Sequence, residues 1–318
     1  MKRSVFSWVT TGKKRGIGLW GLFSIMSSSL LILGCTSKKQ ELGSVEDPIK
    51  FFFTPSVDVK VIEDNSKVFQ KFLEENTPYK FKISTPGSYI AVVEAFGTKK
   101  ADVAVFTNNG YLLANEKYGA EARLTVLRHG SALYKSQFIV RADSGINSLK
   151  DLEGKKLAFV DPASTSGYLL PLKTLKDRGI KIREHVFAGK HDNVVTMVYN
   201  KQVDAGATFW SPEDEEGIQD ARRLVKTQFP DVAEKVKILE LTDSIPNDPI
   251  VFRKELPEDM KKTIEEALLK FIETKEGKEA FKKIYGVDGL KKASDADYAS
   301  LRAMLKDSGQ SAESLVKK

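Results

Sequence analysis

Between residues 49 and 256, short apolar runs alternate with segments whose apolar residues recur at helical spacing. The strand-like runs read IKFFFTP, KFKIST, ADVAVF, QFIVRA, KKLAFVD and DAGATF. Helical patterns include residues 67–75, 89–96 and 194–199. Because this alternation is typical of parallel strands covered by helices, we predict an α/β fold. From Pro257 onward the pattern is helical and charged, which predicts a helical C-terminal segment.

Two stretches of the chain resemble each other. YIAVVEAFGTKKADVAVF and HDNVVTMVYNKQVDAGAT each run from a side chain able to bind a ligand, through a Val-Val helix, to an aspartate before a strand. Tyr89 stands 13 residues before Asp102, and His191 stands 13 residues before Asp204. We interpret the pair as one helix-strand unit in each of two lobes, with both helix N-termini facing a shared cleft. Chance similarity is the alternative, since such units are common in α/β proteins.

The N-terminus has the pattern of a secretory signal. Five basic residues precede an uncharged apolar stretch over residues 17–34, which predicts a signal peptide over 1–34. The stretch ends in ILGC and resembles a bacterial lipobox, so Cys35, the only cysteine in the chain, is expected to carry lipid and anchor the protein to a membrane. An uncleaved transmembrane anchor is the alternative. Residues 35–48 are expected to be a polar tether.

Charge and composition exclude several function classes. Without the five basic residues of the signal, the 50 basic residues fall to 45, against 43 acidic ones. A nearly neutral chain does not favour a nucleic-acid partner. Neither a P-loop nor a G-x-G-x-x-G motif is present, and three histidines give little support to a zinc site, so we expect no cofactor and no metal. The remaining length suffices for two lobes, which we assign to 49–142 with 244–318 and to 143–243.

The stretch DPASTSGYLLP has the pattern of an anion cradle. It follows an apolar run and begins a predicted helix, whose free N–H groups and positive end favour an anion. Hydroxyls of Ser164, Thr165 and Ser166 add donors, and Gly167 allows close backbone approach. Pro171 is expected to bend the helix. We predict a site for a tetrahedral oxyanion, in a segment without a lysine or arginine. Ordinary helix capping is the alternative.

Three motifs together resemble a known family. DPASTSGYLLP, VFAGKHDNVVTMVYNKQVDAG and SIPNDPIVFRKELP, in this order, are similar to segments of the substrate-binding proteins of phosphate, phosphite and phosphonate ABC importers. The resemblance runs from about Ile49 to Tyr298. It implies a two-lobed periplasmic-binding-protein fold of type II with a ligand cleft between the lobes. It also implies a non-enzymatic lipoprotein in the periplasm or at the cell surface, which captures a small phosphorus oxyanion for a permease.

The same resemblance implies roles for seven residues. Ser164, Thr165, Ser166 and His191 match contacts to the phosphorus oxygens, while Tyr89 and Tyr134 match aromatic residues that line the cleft. Asp248 matches the motif aspartate. An ionised carboxylate only accepts hydrogen bonds, so Asp248 is expected to favour a protonated ligand oxygen and to reject sulfate. An Asx turn before Pro249 is its alternative role.

One segment departs from the family pattern. Family members that bind aminoethylphosphonate have a glutamate just after the VDxG-like segment, whereas TFWSPED places Phe209, Trp210 and Ser211 there. Glu213 and Asp214 follow closely, so a role for one of these carboxylates in place of the glutamate stays open. An aromatic wall suits a small or alkyl-bearing ligand better than an amine.

Two other functions compete with transport. Ser164, His191 and an aspartate are the residue types of a hydrolase triad, although a G-x-S-x-G elbow is absent from the sequence. A ligand-binding component of a sensor is the second alternative. Only helical pattern follows the lobes, so the sequence contains no recognisable signalling module.

Overall fold

Two β-sheets form the framework of the computed structural model, which describes residues 41–307. The signal, Cys35 and the first part of the tether lie outside the described residues. The strands, in chain order, are β1 (Ile49–Phe53), β2 (Phe81–Ser84), β3 (Val103–Val105), β4 (Glu121–Leu127), β5 (Leu133–Arg141), β6 (Lys156–Phe159), β7 (Glu184–Phe187), β8 (Ala205–Trp210), β9 (Val236–Pro246), β10 (Pro249–Phe252) and β11 (Gly289–Lys292).

Each sheet is the centre of one lobe. The first has the order β11-β4-β10-β3-β1-β2 and the second the order β7-β6-β8-β5-β9. The predicted parallel pairing is confirmed for β1 with β2 and β3, and for β6 with β7 and β8. The other strands pair antiparallel, among them β10 with β3 and β5 with β8. Both sheets are therefore mixed.

Helices cover both sheets. They are α1 (Val59–Asn76), α2 (Tyr89–Gly97), α3 (Asn108–Tyr118), α4 (Leu170–Asp177), α5 (His191–Tyr199), α6 (Val232–Lys235), α7 (Glu258–Glu273), α8 (Lys275–Tyr285) and α9 (Ala299–Asp307). Within residues 41–307, no helix combines the length and the apolar character needed to cross a membrane. The predicted helical C-terminal segment is confirmed, with β11 as an added strand.

Phenylalanine side chains fill the core of the first lobe. Phe51 and Phe53 point to one face of β1, because alternate residues of a strand share a face. There they meet Phe69 of α1, with ring centroids 4.8 and 5.6 Å away. Phe69 in turn contacts Phe271 of α7 and Phe281 of α8. The C-terminal helices therefore belong to the first lobe, where they pack against α1.

The chain changes sheets at two points. The first is at residues 128–132, between β4 and β5, and the second is at 247–248, between β9 and β10. We expected the first lobe to run to residue 142, and the first change comes earlier. All of β5 pairs with β8 and β9 of the second sheet. An apolar run predicts a strand, but its spacing does not specify which sheet will accept that strand.

The two similar stretches fold in the same way, as predicted. Tyr89 begins α2 and His191 begins α5. The Asp102 carboxylate accepts a hydrogen bond from the backbone N–H of Lys50 at 2.9 Å, and Asp204 accepts one from Lys156 at 2.8 Å. Each aspartate thus ties its unit to the start of the neighbouring strand in its own sheet.

The predicted helix after Asp161 begins with a widened turn. Residues Thr165–Leu169 form a π-helical turn before α4, in which the Leu170 N–H donates to the Thr165 carbonyl. Pro171 follows directly and has no N–H to donate. Short π-helical turns occur often at functional sites. Here the turn presents Ser164, Thr165 and Ser166 at the junction of the lobes.

Candidate functional site

A cavity of about 40 Å³ lies between the lobes. Its lining includes all seven residues predicted from the sequence, namely Tyr89, Tyr134, Ser164, Thr165, Ser166, His191 and Asp248. Phe209 also lines it. Glu213, left open from the sequence, is exposed, and Asp214 accepts a hydrogen bond from Gln219 at 2.7 Å outside the cavity lining. A small set of polar groups from both lobes therefore converges on a space for a small ligand.

The serine-threonine turn combines capping with available donors. Ser164 Oγ accepts the Gly167 N–H at 3.0 Å, and Thr165 Oγ1 accepts the N–H of Asn109 in α3 at 3.1 Å. A hydroxyl that accepts a hydrogen bond keeps its own proton for another partner. Helix capping and anion binding, which the sequence presented as alternatives, are therefore compatible at Ser164, and Thr165 also keeps a proton to donate.

Tyr89 brings an unpaired hydroxyl to the cavity. Its side chain is 2% exposed, and its Oη is buried without a hydrogen-bond partner in the described part of the chain. Burial raises its pKa well above the ordinary value, so the hydroxyl keeps its proton. Buried polar groups in native proteins are rarely left unpaired. Tyr89 is therefore a donor without an acceptor among residues 41–307.

His191 is neutral and holds its proton on one nitrogen. Its Nδ1 accepts the backbone N–H of Phe209 at 3.4 Å, and the two rings meet edge to face. Burial, and then repulsion by Arg128, lowers the pKa of His191 to about 3. Because Nδ1 is the acceptor, the proton of the neutral ring is on Nε2. His191 thus supplies one neutral N–H donor.

Asp248 is paired with an arginine that the sequence did not single out. Arg128 Nη2 donates to Asp248 Oδ2 at 2.9 Å, while Nη1 and Nε donate to Asn247 Oδ1 and to the Tyr285 carbonyl. Burial raises the pKa of Asp248, and Arg128 opposes that shift. The Arg128 guanidinium also lies 5.5 Å from the Tyr134 ring centre. Arg128 therefore neutralises Asp248 and packs against the ring of Tyr134, which lines the cavity.

Arg223 is a second arginine that the sequence analysis missed. It lies in the 3-10 turn Ala221–Val225 and lines the cavity. Its Nε and Nη2 atoms are buried and lack a partner within residues 41–307. Burial, followed by repulsion from Arg128, lowers its pKa to about 10, so it is charged near neutral pH. Neighbouring Arg222 instead pairs with Asp220. Nothing in the sequence distinguishes these adjacent arginines, because only the fold decides which one reaches the cavity.

The remaining lining includes residues that join the lobes. Besides those already named, it comprises Thr54, Ser56, Val57, Val105, Phe106, Thr107 and Tyr285. The Ser56 carbonyl accepts the His191 N–H at 3.3 Å, and the Thr107 hydroxyl donates to the Ala163 carbonyl at 3.3 Å. The described residues contain no group of three or more His, Cys, Asp or Glu placed to hold a metal ion.

Comparison with known proteins identifies the family. A family model described as "ABC transporter, phosphonate, periplasmic substrate-binding protein" matches residues 51–298. The chain belongs to this family. Members of this phosphonate-binding family are substrate-binding components of ABC importers, as the motif resemblance implied.

Three curated relatives are similar to parts of the chain. The phosphate-import protein PhnD of Mycolicibacterium smegmatis is 34% identical over 44% of this chain, which spans 48% of that protein. The phosphonates-binding periplasmic protein of Escherichia coli is 29% identical over 74% of the chain and 69% of its own length. The probable phosphite binding protein PhnD1 of Prochlorococcus marinus is 28% identical over 58% of the chain and 62% of its own length. This chain thus spans about half of the first relative.

Solved structures share the two-lobed fold of the phosphonate-binding family. PhnD1 of Prochlorococcus marinus, in complex with methylphosphonate, has a TM-score of 0.72, 21% identity and coverage of 83% of this chain and 98% of its own. A phosphonate-transporter binding protein of Pseudomonas aeruginosa also has a TM-score of 0.72 with 21% identity, covering 82% of this chain and 86% of its own. The predicted type II fold is confirmed.

Proposed function

We propose that this protein captures a small phosphorus oxyanion, namely phosphate, phosphite or an alkylphosphonate, between its lobes and delivers it to the permease of an ABC importer. The observation that carries the proposal is the unpaired Tyr89 hydroxyl, buried in a small cavity with several other donors. An anion that accepts from this hydroxyl relieves the cost of an unmet buried hydrogen bond. The ligands in the names of the relatives are consistent with this chemistry.

The donors surround the cavity from several directions. Tyr89 comes from the first lobe, whereas the serine-threonine turn and His191 come from the second. A tetrahedral oxyanion has four corners, so it can accept from both lobes at once. Binding then holds the lobes together, which is the mode of action expected of an importer's binding component.

We propose that Asp248 selects the protonation state of the ligand. Its Oδ2 accepts from Arg128, and no described residue donates to Oδ1. Oδ1 is therefore available for a ligand hydroxyl. Because a carboxylate cannot donate, a ligand oxygen that carries a proton is favoured. Sulfate has no such proton near neutral pH, so we propose that it is rejected.

Two features favour an unsubstituted or alkyl ligand over an aminoalkyl one. Phe209 lines the cavity from the position where the family's amine-binding members have a glutamate. Among the described residues that line the cavity, Asp248 has the one carboxylate, and this carboxylate already pairs with Arg128. An ammonium group would therefore lack a free counter-charge and would be expensive to desolvate.

The partners of His191 and Asp248, which are residue types of a triad, favour transport over hydrolysis. His191 Nδ1 accepts from Phe209 N, and Asp248 pairs with Arg128. A triad requires the carboxylate to orient the histidine, and here each has a different partner. We therefore propose a binding protein that performs no chemistry on its ligand.

We also propose that Cys35 carries the lipid that anchors the protein outside the cytoplasm, at a bacterial membrane. The support is the charged and then apolar leader that ends in ILGC. Cys35→Ala is expected to release the protein from the membrane fraction. A variant that stays anchored and unprocessed at equal abundance would instead indicate a transmembrane segment.

The function is tested by calorimetry with phosphate, phosphite, methylphosphonate, aminoethylphosphonate and sulfate, together with an assay for phosphate-ester hydrolysis. We expect saturable binding of the first three and no turnover. Asp248→Asn introduces a donor facing the ligand and is expected to weaken phosphate binding about tenfold or more and to reduce discrimination against sulfate. Release of product from an ester would support the hydrolase. An Asp248→Asn variant that matches the wild type for every ligand would remove the role of Asp248.

A further inference from the structure

Arg223 lines the cavity and has a free hydrogen-bonding edge in the described part of the chain. Its Nε and Nη2, the two atoms without a partner among the described residues, form one side of the guanidinium plane. A Cβ built on Gly286 of the first lobe would lie 3.3 Å from Nη2, so the group reaches across from its own lobe. This edge carries two N–H groups with the spacing of two oxygens of a phosphoryl group.

The carboxylates of Asp220 and Asp214 favour the charge of Arg223, but each has other partners. Arg128 faces Arg223 and repels it, but the charge of Arg128 is matched by Asp248. On its own segment, Asp220 pairs with Arg222 at 2.7 Å. Asp214 accepts from Gln219 and lies 3.9 Å from Lys282 and 4.0 Å from His129.

The remaining titratable groups of the lining carry no compensating charge. Burial keeps Tyr89, Tyr134 and Tyr285 protonated, and His191 is neutral. The described lining therefore carries one excess positive charge. A buried guanidinium without an anionic partner is costly, and a bound dianion would offset that cost.

We propose that Arg223 is a further ligand-binding residue, which donates from Nε and Nη2 to two oxygens of the bound anion and makes the site prefer a dianion. The inference rests on the proposed function and adds a charge requirement to it. Hydrogenphosphate suits both groups, since its two negative charges attract Arg223 more strongly than one charge would, and it carries one proton for Asp248. A singly charged form of the same ligand would balance the excess charge but would be attracted to Arg223 less strongly.

The test measures phosphate affinity by calorimetry for the wild type, Arg223→Gln, Arg223→Lys and the control Lys226→Gln. Lys226 is exposed in the same segment, so its variant removes one charge outside the cavity. Loss of a charged donor typically weakens binding about ten- to a hundredfold, which we expect for Arg223→Gln. Arg223→Lys should lose less, because it keeps the charge without the two-pronged edge. Lys226→Gln should remain within about twofold of the wild type.

The pH dependence separates a ligand contact from a structural role. Wild-type phosphate affinity is expected to rise as the ligand passes from monoanion to dianion, and Arg223→Gln should flatten that rise. If the wild type binds phosphate and Arg223→Gln matches its affinity and pH profile, the inference is overturned while the proposed function stands. If the wild type binds no phosphorus oxyanion, the proposed function fails first, and the inference fails with it. Should Arg223→Gln not fold, an affinity of Arg223→Lys equal to the wild type across pH would contradict the two-pronged contact.

Discussion

Three side chains that line the cavity carry N–H or O–H groups available to donate a hydrogen bond. The hydroxyl of Tyr89 lacks a partner, the Nε2 of His191 holds a single proton, and the edge of Arg223 is free. The unpaired atoms of Tyr89 and Arg223 have a cost in the ligand-free protein, because buried polar groups are normally satisfied. Binding sites often retain such costs, since the ligand supplies the missing partner.

The Tyr89 hydroxyl should contribute to binding and not to folding. Tyr89→Phe removes an unpaired buried group, so the ligand-free variant should be as stable as the wild type or up to about 1 kcal/mol more stable. Its phosphate affinity should fall about tenfold. Thermal unfolding and calorimetry measure the two effects.

Tyr111→Phe is the matched control for Tyr89→Phe. Tyr111 is also buried in the first lobe, but its hydroxyl donates to Asp295 at 2.7 Å. Its variant should therefore lose stability and keep affinity. A Tyr89→Phe variant that is destabilised and still binds phosphate normally would contradict the assignment of Tyr89.

His191 should make stability depend on pH. Its folded-state pKa of about 3 lies below the ordinary value of 6.5, so the unfolded chain takes up the proton first as the pH falls. Stability from the neutral ring is thus complete above pH 6.5 and is lost toward pH 3, by about 1.4 kcal/mol per pH unit. His191→Gln should remove this part of the slope.

Urea unfolding of the ligand-free wild type and of His191→Gln between pH 7 and pH 4 measures this difference. Burial raises the pKa values of Asp248 and Asp161 and gives them the opposite effect. Because both carboxyls are present in the two proteins, the difference between the slopes isolates His191. Parallel slopes would mean that the ring is protonated in the folded state or exposed.

At the scale of elements, the repeated helix-strand unit brings the two lobes to one point. Both α2 and α5 begin at the cavity, with Tyr89 and His191 as their first residues. The Asp102 and Asp204 N–H groups both donate at 2.9 Å to the carbonyls of Lys50 and Lys156. Together with the carboxylate bonds, these contacts fix the strand that follows each helix.

The two aspartates should differ in their contribution to stability. Asp204→Ala removes one carboxylate hydrogen bond and should cost about 1 kcal/mol. Asp102 is 1% exposed and also pairs with Arg253 at 2.7 Å. Asp102→Ala should therefore cost about 3 to 5 kcal/mol, because it leaves a charged partner behind. Urea unfolding checks the order, and equal costs would show that Arg253 finds solvent or another acceptor.

At the scale of the whole molecule, hydrogen bonds and apolar contacts join the lobes around the cavity. Besides the bonds from His191 and Thr107, the Asn109 N–H donates to Thr165 across the junction. The chain crosses between the sheets only at residues 128–132 and 247–248 in the part that the structure describes. A bound anion adds contacts to both sides, so ligand should favour this arrangement of the lobes.

Ligand should therefore stabilise the protein and reduce its dimensions. At a phosphate concentration one hundred times the dissociation constant, the free energy of unfolding should rise by about 2.7 kcal/mol. Small-angle scattering should give a smaller radius of gyration with phosphate than without it. Scattering curves that coincide with and without saturating ligand would contradict closure, even if the stability increase is observed.

Local sequence determined much of this protein. The strands predicted at IKFFFTP, KFKIST and KKLAFVD and the helices over 89–96 and 194–199 are all present, because apolar periodicity reflects which face each element buries. The serine-threonine turn and the paired units also follow from short-range spacing, and motif resemblance selected seven residues that line one cavity. Each of these strands, helices and motifs depends on residues that are neighbours in the chain.

Only the tertiary structure decided the features that depend on distant partners. It placed β5 in the second sheet, paired Asp248 with Arg128, and left Arg223 unpaired while Arg222 bonded Asp220. Arg128 and Asp248 are 120 residues apart, and each belongs to a chain rich in similar charges. Spacing along the chain carries no information about such pairs, because the charge that a buried group meets is set by how the lobes fold together.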